Sequence, residues 1–450
     1  MSLSAIILAA GAGTRMKSKK PKVAHEIFGK PMVNYAIDSV KQAGANRTVC
    51  VVGFEREQIE PLCVGCEIAV QENRLGTGDA VNSAREMFKG VKGSVIVTYA
   101  DCPLITPETL GKLVEAREVR DSAVSVLTME LDDPTGYGRI VRDEQGDIIC
   151  NVEDKDCTDE QRKIKECNTG FYCFDVELLF DALSKVNNDN AQGEFYLTDT
   201  LEILCRMGKK VTSVHAEDTT ELLGVNSRYQ LSEATKIMQR RINKKHMLAG
   251  VTMWDAETTI IGPDVEISND VEIWPNTMLL GNTKIGEDSV VGPNTRLTNV
   301  EVGKGCRVDE TIAIDSFVDD GANTGPRCYL RPGAHLCKNS KAGTCVEIKK
   351  STVGEGSKVP HLSYIGDTTI GTGVNLGAGT ITCNYDGKNK HKTEIGNDAF
   401  VGSSTMLVAP VKVGSNVVIA AGSVITEEVP DDTLAFGRAR QVNKTDRFKD

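Results

Sequence analysis

Residues 261–297 read IGPDVEISNDVEIWPNTMLLGNTKIGEDSVVGPNTRL. Every sixth position is aliphatic: Ile261, Ile267, Ile273, Leu279, Ile285, Val291 and Leu297. The count slips by one residue and resumes at Val302, Val308 and Ile314. From Asp315 to Ala342 no count is readable. It returns at Ile348, then at Val353, Val359 and Ile365, then at Ile370 and Leu376, and runs from Ile395 through Val401, Leu407, Val413 and Ile419 to Ile425. A period of six fits neither a helix nor a simple strand. It fits a coil of short parallel strands with one aliphatic per strand turned inward. The intervening Gly, Asn and Asp suit the corners, because they tolerate positive φ. Hexapeptide repeats of this kind mark a parallel β-helix. One coil cannot bury its own inward face, so the coils must stack into a solenoid.

The repeat is interrupted between Ile381 and Ile395 by Cys383-Asn384-Tyr385-Asp386-Gly387-Lys388-Asn389-Lys390-His391-Lys392-Thr393. A polar insertion in a solenoid becomes a loop on one face, often the binding face. Just before it, His361-Leu362-Ser363-Tyr364 puts a histidine where a coil normally carries something inert.

With 450 residues, more than one domain is expected. The formal net charge of −11 argues against a general binder of nucleic acid or anionic membrane. Neither a signal pattern at the start nor an apolar run of membrane-spanning length is seen, so the chain reads as cytoplasmic, without membrane insertion. Fourteen scattered cysteines then read as free thiols rather than a disulfide framework. Cys63 and Cys66 form a lone C-x-x-C without a second pair, and a turn between helix and strand accounts for it.

Ala5-Ile6-Ile7-Leu8-Ala9-Ala10 is an apolar run consistent with a buried parallel strand. It leads into Gly11-Ala12-Gly13-Thr14-Arg15-Met16. A glycine-rich turn after a strand lets backbone N–H groups approach a phosphate. Met16 stands where the dinucleotide fingerprint needs its third Gly, and no G-K-[ST] follows, so neither common nucleotide loop is present. Instead Arg15, Lys17, Lys19, Lys20 and Lys22 follow with no acid among them, a local anion site in an acidic chain. A helix over Asn34–Ala43 and strands over Thr48–Val52, Ile68–Gln71 and Ser94–Tyr99 predict a doubly wound α/β sheet with ligands at the carboxyl ends of its strands. Asp101 stands at such an end, placed to hold a hard divalent cation. Asp133-Pro134-Thr135-Gly136-Tyr137-Gly138-Arg139, Val152-Glu153-Asp154-Lys155 and Cys167-Asn168-Thr169-Gly170 are further polar stretches beside expected strands. Ser227-x-x-Gln230 is a capping-box pattern. It opens a helix with Leu231, Ala234, Ile237, Met238 and Ile242 on one face, which Gly250 ends. At about 1.5 Å per residue that helix spans about 30 Å, a rod between two domains. Asn226 at its start offers an oxygen and is a candidate partner for Asp101. The predicted organisation is therefore residues 1–226, a helical linker 227–250, and the β-helix with its tail, 251–450.

Leu8-Ala9-Ala10-Gly11-Ala12-Gly13-Thr14-Arg15-Met16 with Pro21-Lys22 resembles the signature of sugar-1-phosphate nucleotidylyltransferases. Gln71 with Leu75-Gly76-Thr77-Gly78, the stretch Asp133–Arg139, and Asn384-Tyr385-Asp386-Gly387 with Lys390 inside a hexapeptide β-helix narrow it. Together they resemble the bacterial bifunctional N-acetylglucosamine-1-phosphate uridylyltransferase / glucosamine-1-phosphate N-acetyltransferase family, from Ala5 to about Arg440. The resemblance implies a Rossmann-like nucleotidyltransferase domain and a left-handed parallel β-helix. It implies that Leu8, Ala9 and Gly11 contribute to the nucleotide loop, and that Arg15 and Lys22 steady the triphosphate of UTP and the departing pyrophosphate. Gln71, Gly76 and Thr77 would read uracil. Asp101 and Asn226 would hold Mg²⁺. Gly138, Glu153 and Asn168 would bind N-acetylglucosamine-1-phosphate. At the second site it implies His361 as general base toward glucosamine-1-phosphate, with acetyl-CoA as donor and Glu347 in support. Arg331, Lys349, Tyr364, Asn375 and Lys390 would bind the sugar phosphate, and Ala378, Asn384, Tyr385, Ser403, Ala421 and Arg438 would line the acetyl-CoA path. The family forms homotrimers whose acetyl sites are shared between subunits, and its product feeds peptidoglycan and envelope polysaccharides. The tail after Arg440, with Lys444, Arg447 and Lys449, is short, and the grip on the coenzyme is expected to differ there.

Two other readings stay open on the residues alone. In one, the β-helix only oligomerises or regulates a single-activity nucleotidylyltransferase. In the other, the chain is a non-catalytic hexapeptide-repeat assembly protein. The second leaves the loop Gly11–Lys22 unexplained, and a pure scaffold has no need of His361 and the polar insertion.

Overall fold

The first strand, β1 (Leu3–Leu8), is buried along its whole length. Its side chains alternate, as a strand's must. Ala5 and Ile7 join the core on one face of the sheet, Ile6 and Leu8 the core on the other. The structure, a computed structural model describing residues 2–444, is built outward from this strand on its N-terminal side. Arg447 and Lys449 lie outside the described residues.

The strands that follow are β2 (Arg47–Val52), β3 (Glu67–Val70), β4 (Ser94–Tyr99), β5 (Val124–Glu130), β6 (Arg139–Arg142), β7 (Ile148–Val152), β8 (Glu166–Asp175) and β9 (Val211–His215). Across the sheet their order is β9-β5-β8-β4-β1-β2-β3, with the hairpin β6–β7 attached to β8. β1 runs parallel to β2 and β4, and β2 parallel to β3. Helix Met32–Gln42 places Val33, Ala36, Ile37 and Val40 on one face, while Ala80, Phe88, Leu179 and Leu201 cover the other. The doubly wound layering is as expected, but the sheet is mixed. β8 is antiparallel to both β4 and β5. A parallel strand needs a crossover, usually a helix. After the β6–β7 hairpin the chain has only the short turns Asp154–Asp156 and Gln161–Lys163, so β8 comes back reversed.

Contacts divide the chain into two compact units that meet between Met238 and Gln239, inside the helix Arg228–Leu248. Its cap is the expected one: Gln230 N–H donates to Ser227 Oγ at 3.2 Å, and Asn226 N–H donates to the Gln230 side-chain oxygen at 2.9 Å. The first half belongs to the N-terminal unit, where Arg228 donates to the carbonyl of Met16. The second half belongs to the C-terminal unit, where the Asn243 amide donates to the carbonyls of Ala256 and Thr259 at 2.8 and 2.9 Å. The helix is thus divided between the two units.

In the C-terminal unit three short strands make each coil, and each pairs in parallel with its counterpart one coil on: Ile261 with Leu279, Ile267 with Ile285, Ile273 with Val291. Ile261, Ile273, Leu279, Ile285, Val291, Leu297, Val302 and Val308 are all buried. Ile267, by contrast, is only half-buried. One sequence position is corrected. Ala313, not Ile314, points inward, and Ile314 is half-exposed. After one step of five to Val318, the count of six runs through the stretch that seemed blurred: Val318, Thr324, Leu330, Leu336, Ala342 and Ile348 are all buried. Small or polar side chains at Thr324 and Ala342 hide the repeat from a search for large aliphatics. Thr324 is tolerated inside because its hydroxyl shares a 2.8 Å hydrogen bond with that of Thr311.

This register predicts that Leu336→Ala lowers the stability of the β-helix by about 2–5 kcal/mol, while Ile314→Ala costs less than about 1 kcal/mol. Denaturant unfolding of the two variants checks it, and equal costs would mean the register is wrong.

Candidate active sites

Parallel strands put their carboxyl ends on one edge, so β1, β2, β3 and β4 deliver Ala9–Gly11, Gly53, Gln71 and Asp101 to the same rim of the first unit. The cleft there has a volume of about 250 Å³, and its walls include Leu8, Ala9, Gly11, Lys22, Gln71, Gly76, Thr77 and Asp101. A neighbouring cavity of about 260 Å³ shares Thr77, Tyr99 and Glu194 with it and adds Gly138, Glu153 and Asn168. The residues implied for nucleotide and sugar therefore line two adjoining halves of one groove.

At the base of the groove Lys22 makes the decisive contact. Its ammonium is paired with the Asp101 carboxylate and donates to Asn226 Oδ1 at 3.0 Å. Two backbone features build this. A Cβ on Gly13, at φ 58°, would come within 2.5 Å of Lys22 Cβ, so only glycine lets the loop fold against the Lys22 segment. Val225 N–H donates to the carbonyl of Asp101 at 2.8 Å, which sets Asn226 beside that aspartate. Asp101 and Asn226 thus present two oxygens to one cation. That donor set fits Mg²⁺, a hard ion held by carboxylate and amide oxygens.

Gln71 is buried, and its amide nitrogen donates to the Gly76 carbonyl at 3.1 Å and to Asp79 at 2.7 Å. Gly76 has φ 119°, and a Cβ there would strike the Phe195 carbonyl at 2.5 Å. Gly78 N–H donates to that same carbonyl, and Phe195 N–H to Leu75 O, tying Glu194–Thr198 to the nucleotide loop. In the sugar half, Glu153 Oε1 accepts from Asn151 at 3.0 Å and from Thr198 Oγ1 at 2.9 Å. Asn168 Oδ1 accepts from Gly170 N–H, while its amide donates to the Tyr172 hydroxyl at 2.6 Å. Arg15 stands exposed on the turn Thr14–Met16 and is not part of either wall. Sequence reading missed Tyr99, Glu194, Tyr196 and Thr198. Tyr196 is buried, lines the sugar half, and its hydroxyl has no partner among the described residues. Only the contact of residues 194–198 with Gly76 and Gly78 reveals them. The C-x-x-C lies in the turn between the short helices before it and β3, with both thiols free.

The second site lies on the β-helix. Thr344 pairs with His361, and Lys358 with Asn375, so continuing the register sets His361 beside Ala378 one coil on. Gly379 N–H donates to the His361 carbonyl there. Leu376 pairs with Val401 and Val401 with Ile419, so Ala378, Ser403 and Ala421 follow one another at the same corner. Arg438 approaches Gly422 next to them. His361 and the implied acetyl-donor residues Ala378, Ser403 and Ala421 thus form one column. On the adjoining face Leu330 pairs with Ile348, which puts Arg331 beside Lys349, two cations about 4.8 Å of strand spacing apart. Glu347 accepts a hydrogen bond from Arg331 at 2.8 Å, an ion pair that the sequence reading did not include. A side chain on Gly366 would meet both the Tyr364 hydroxyl, at 2.7 Å, and the Asn384 amide, at 2.6 Å, so those two groups converge over it. Asn384 itself is buried and donates to Asp367 at 2.5 Å. The insertion is a small hairpin with Tyr385 bridged to Lys390, whose ammonium lies 4.9 Å from the Tyr385 ring centre. Asp386 caps it, accepting from the N–H groups of Lys388 and Asn389 at 2.7 Å each and pairing with His391 at 2.7 Å. Those backbone N–H groups and His391 hold its carboxyl far below the usual range.

A model of the MobA-like NTP transferase domain matches residues 5–151, and one of the bacterial transferase hexapeptide repeat matches residues 264–299 and 392–427. Bifunctional protein GlmU of Caldanaerobacter subterraneus subsp. tengcongensis is 50% identical over 444 residues, covering 98% of this chain and 96% of its own. The chain belongs to the GlmU family. GlmU of Carboxydothermus hydrogenoformans is 48% identical over 448 residues, 99% of this chain and 100% of its own. GlmU of Clostridium botulinum is 47% identical over 442 residues, 98% and 96%. A solved UDP-glucose pyrophosphorylase complexed with UDP-glucose is a distant match, with 19% identity and a TM-score of 0.43, covering 54% of this chain and all of that one. As a GlmU family member the chain is a bifunctional enzyme, a nucleotidyltransferase and a hexapeptide-repeat acyltransferase.

Asp199, at the start of a helix behind Glu153, has its pKa pushed up to about 6, first by burial and then by the charge of Glu153. A carboxyl raised in the folded state binds its proton more tightly there than in the unfolded chain, whose pKa is about 3.9. Stability from this group is therefore present at low pH and lost as pH rises from about 4 to about 6. Asp199→Asn is expected to raise the melting temperature at pH 7.5 and leave it unchanged near pH 4, by calorimetry at both values.

Proposed function

We propose that the first unit transfers uridylyl from UTP to N-acetylglucosamine-1-phosphate, releasing pyrophosphate, and that the second acetylates glucosamine-1-phosphate from acetyl-CoA to supply that acceptor. What carries this reading is the separate gathering of two residue sets. Lys22, Asp101 and Asn226 meet in the groove of one unit, and His361 shares a corner column with Ala378, Ser403 and Ala421 in the other.

In the first reaction the sugar-phosphate oxygen attacks the α-phosphorus in line, and the bond to the leaving pyrophosphate breaks. Such transfers need positioning and charge neutralisation more than a protein nucleophile. Mg²⁺ held by Asp101 and Asn226 supplies positive charge toward the phosphates. Lys22 and Arg15 donate to phosphate oxygens, Arg15 by swinging in from its exposed turn. Gln71, Gly76 and Thr77 hold uracil, and the backbone of Leu8–Gly11 faces the nucleotide. Gly138, Glu153 and Asn168 orient the sugar so that its phosphate faces the α-phosphorus.

In the second, His361 takes a proton from the sugar amine, and the freed nitrogen attacks the thioester carbonyl. The C–S bond breaks and coenzyme A leaves as thiolate. A histidine suits this because its ordinary pKa lies near neutral pH. Arg331 and Lys349 receive the sugar phosphate, with Tyr364, Asn375 and Lys390 around the ring, and Glu347 keeps Arg331 extended. Asn384, Tyr385 and Arg438 complete the coenzyme path.

The same reading makes the enzyme a cytoplasmic homotrimer whose product enters envelope synthesis. An exposed apolar column of Phe400, Val418 and Leu434 supports self-association. Free thiols throughout suit a reducing compartment, and among the described residues no helix is long and apolar enough to cross a membrane.

His361→Ala is expected to cut acetyl transfer, read as thiol release from acetyl-CoA, by about 10²-fold or more, and to spare pyrophosphate release from UTP. Asp101→Ala is expected to do the reverse, by about 10²–10³-fold. Loss of both activities in either variant, with the fold intact, would overturn the two-site reading.

A further inference from the structure

One side of the coil bears neither His361 nor the Arg331–Lys349 pair. Here Phe317 pairs with His335 and Val318 with Leu336. Val318 and Leu336 are buried inside. Alternation along a strand therefore turns their neighbours outward: Phe317 and Asp319 on one coil, His335 and Cys337 on the next. His335 Nε2 lies 3.0 Å from each carboxylate oxygen of Asp319. One ligand atom from each of Asp319, His335 and Cys337 lies within 4.8 Å of the other two. The imidazole is steadied by the Phe317 ring, edge-on at 5.7 Å between centres. The nearby Lys338 ammonium is turned to Asp320 at 3.7 Å, which leaves the Asp319 carboxylate to His335.

We propose that Asp319, His335 and Cys337 form a binding site for a divalent transition metal, best matched by Zn²⁺. A thiolate, a carboxylate and a neutral imidazole carry two negative charges against the two positive charges of the ion. Imidazole and thiolate suit Zn²⁺, whereas Mg²⁺ and Ca²⁺ take oxygen shells. Tetrahedral Zn²⁺ with bonds of about 2.0–2.3 Å spaces its ligand atoms about 3.3–3.8 Å apart, so side-chain rotation of about 1 Å closes this cluster without moving the backbone. The Cys337 thiol proton passes to solvent as the ion binds, and His335 binds through Nε2 as the neutral tautomer that carries its proton on Nδ1. Water takes the fourth position.

Such an ion cross-links two successive coils. It does so where the inward ladder is thinnest, between Ala313, Thr324 and Ala342. The site is a clip for the β-helix, on a different face from the catalytic corner.

The test titrates Zn²⁺ and Co²⁺ into the full chain in a reductant free of thiols. With excess Mg²⁺ present to keep Asp101 and Asn226 occupied, one further ion per chain is expected, with a thiolate-to-Co²⁺ absorption band and a higher melting temperature of the β-helix. His335→Ala and Cys337→Ser should each weaken binding at least 10-fold and remove the shift in melting temperature. Asp101→Asn and Cys66→Ser, which alter the catalytic groove and the C-x-x-C, should leave both unchanged. Should either outward variant fold poorly, Asp319→Asn gives the same readout. Equal binding by wild type and the cluster variants, or a Co²⁺ spectrum without the thiolate band, would overturn the site.

Discussion

No inward side chain of the β-helix is buried by its own coil. Each aliphatic becomes core by lying on the next coil's: Ile261 on Leu279, Ile267 on Ile285, Ile273 on Val291. Everything in the second unit follows from this stacking. It forces a constant rise per coil, brings residues far apart in sequence into vertical register, and makes columns rather than loops the natural way to build a site. His361, Ala378, Ser403 and Ala421 are spread over four coils and still share a corner.

The first unit obeys a different constraint. Parallel strands end together, so one rim collects the loop after each of them. The glycines at 13 and 76 matter there because the backbone or side-chain stems of Lys22 and Phe195 come too close for any Cβ. The groove is thus shaped as much by what approaches the loops from outside as by the loops themselves.

Much of this was legible in the sequence for physical reasons. The six-residue period exists because one side chain per strand must face the axis, and Ser94–Tyr99 was readable to the residue because a strand buried on both faces carries a run of β-branched residues, here Val95-Ile96-Val97-Thr98. What was hidden shares a cause too. Thr324 and Ala342 do the same work as isoleucine in positions where space is small or a hydroxyl finds a partner, so a pattern of large aliphatics loses them. The reversal of β8 depends on the hairpin before it, and periodicity does not record strand direction. Tyr196 and Thr198 reach the groove because their neighbours Phe195 and Leu197 hydrogen-bond Leu75, Thr77 and Gly78, more than a hundred positions away, which no local pattern carries. Glu347 was assigned to the support of His361 by likeness alone, and its ion pair with Arg331, one coil away, was not readable.

The Lys22 ammonium between Asp101 and Asn226 has a consequence for how this enzyme is born. A pocket designed to concentrate cations usually burdens the nascent chain with a desolvated anion. Here the protein carries its own counter-ion, a charge tethered through the Lys22 side chain. The N-terminal unit can therefore fold without a soluble ion at this spot, and any cation that the proposed reaction takes there would have to displace a tethered one.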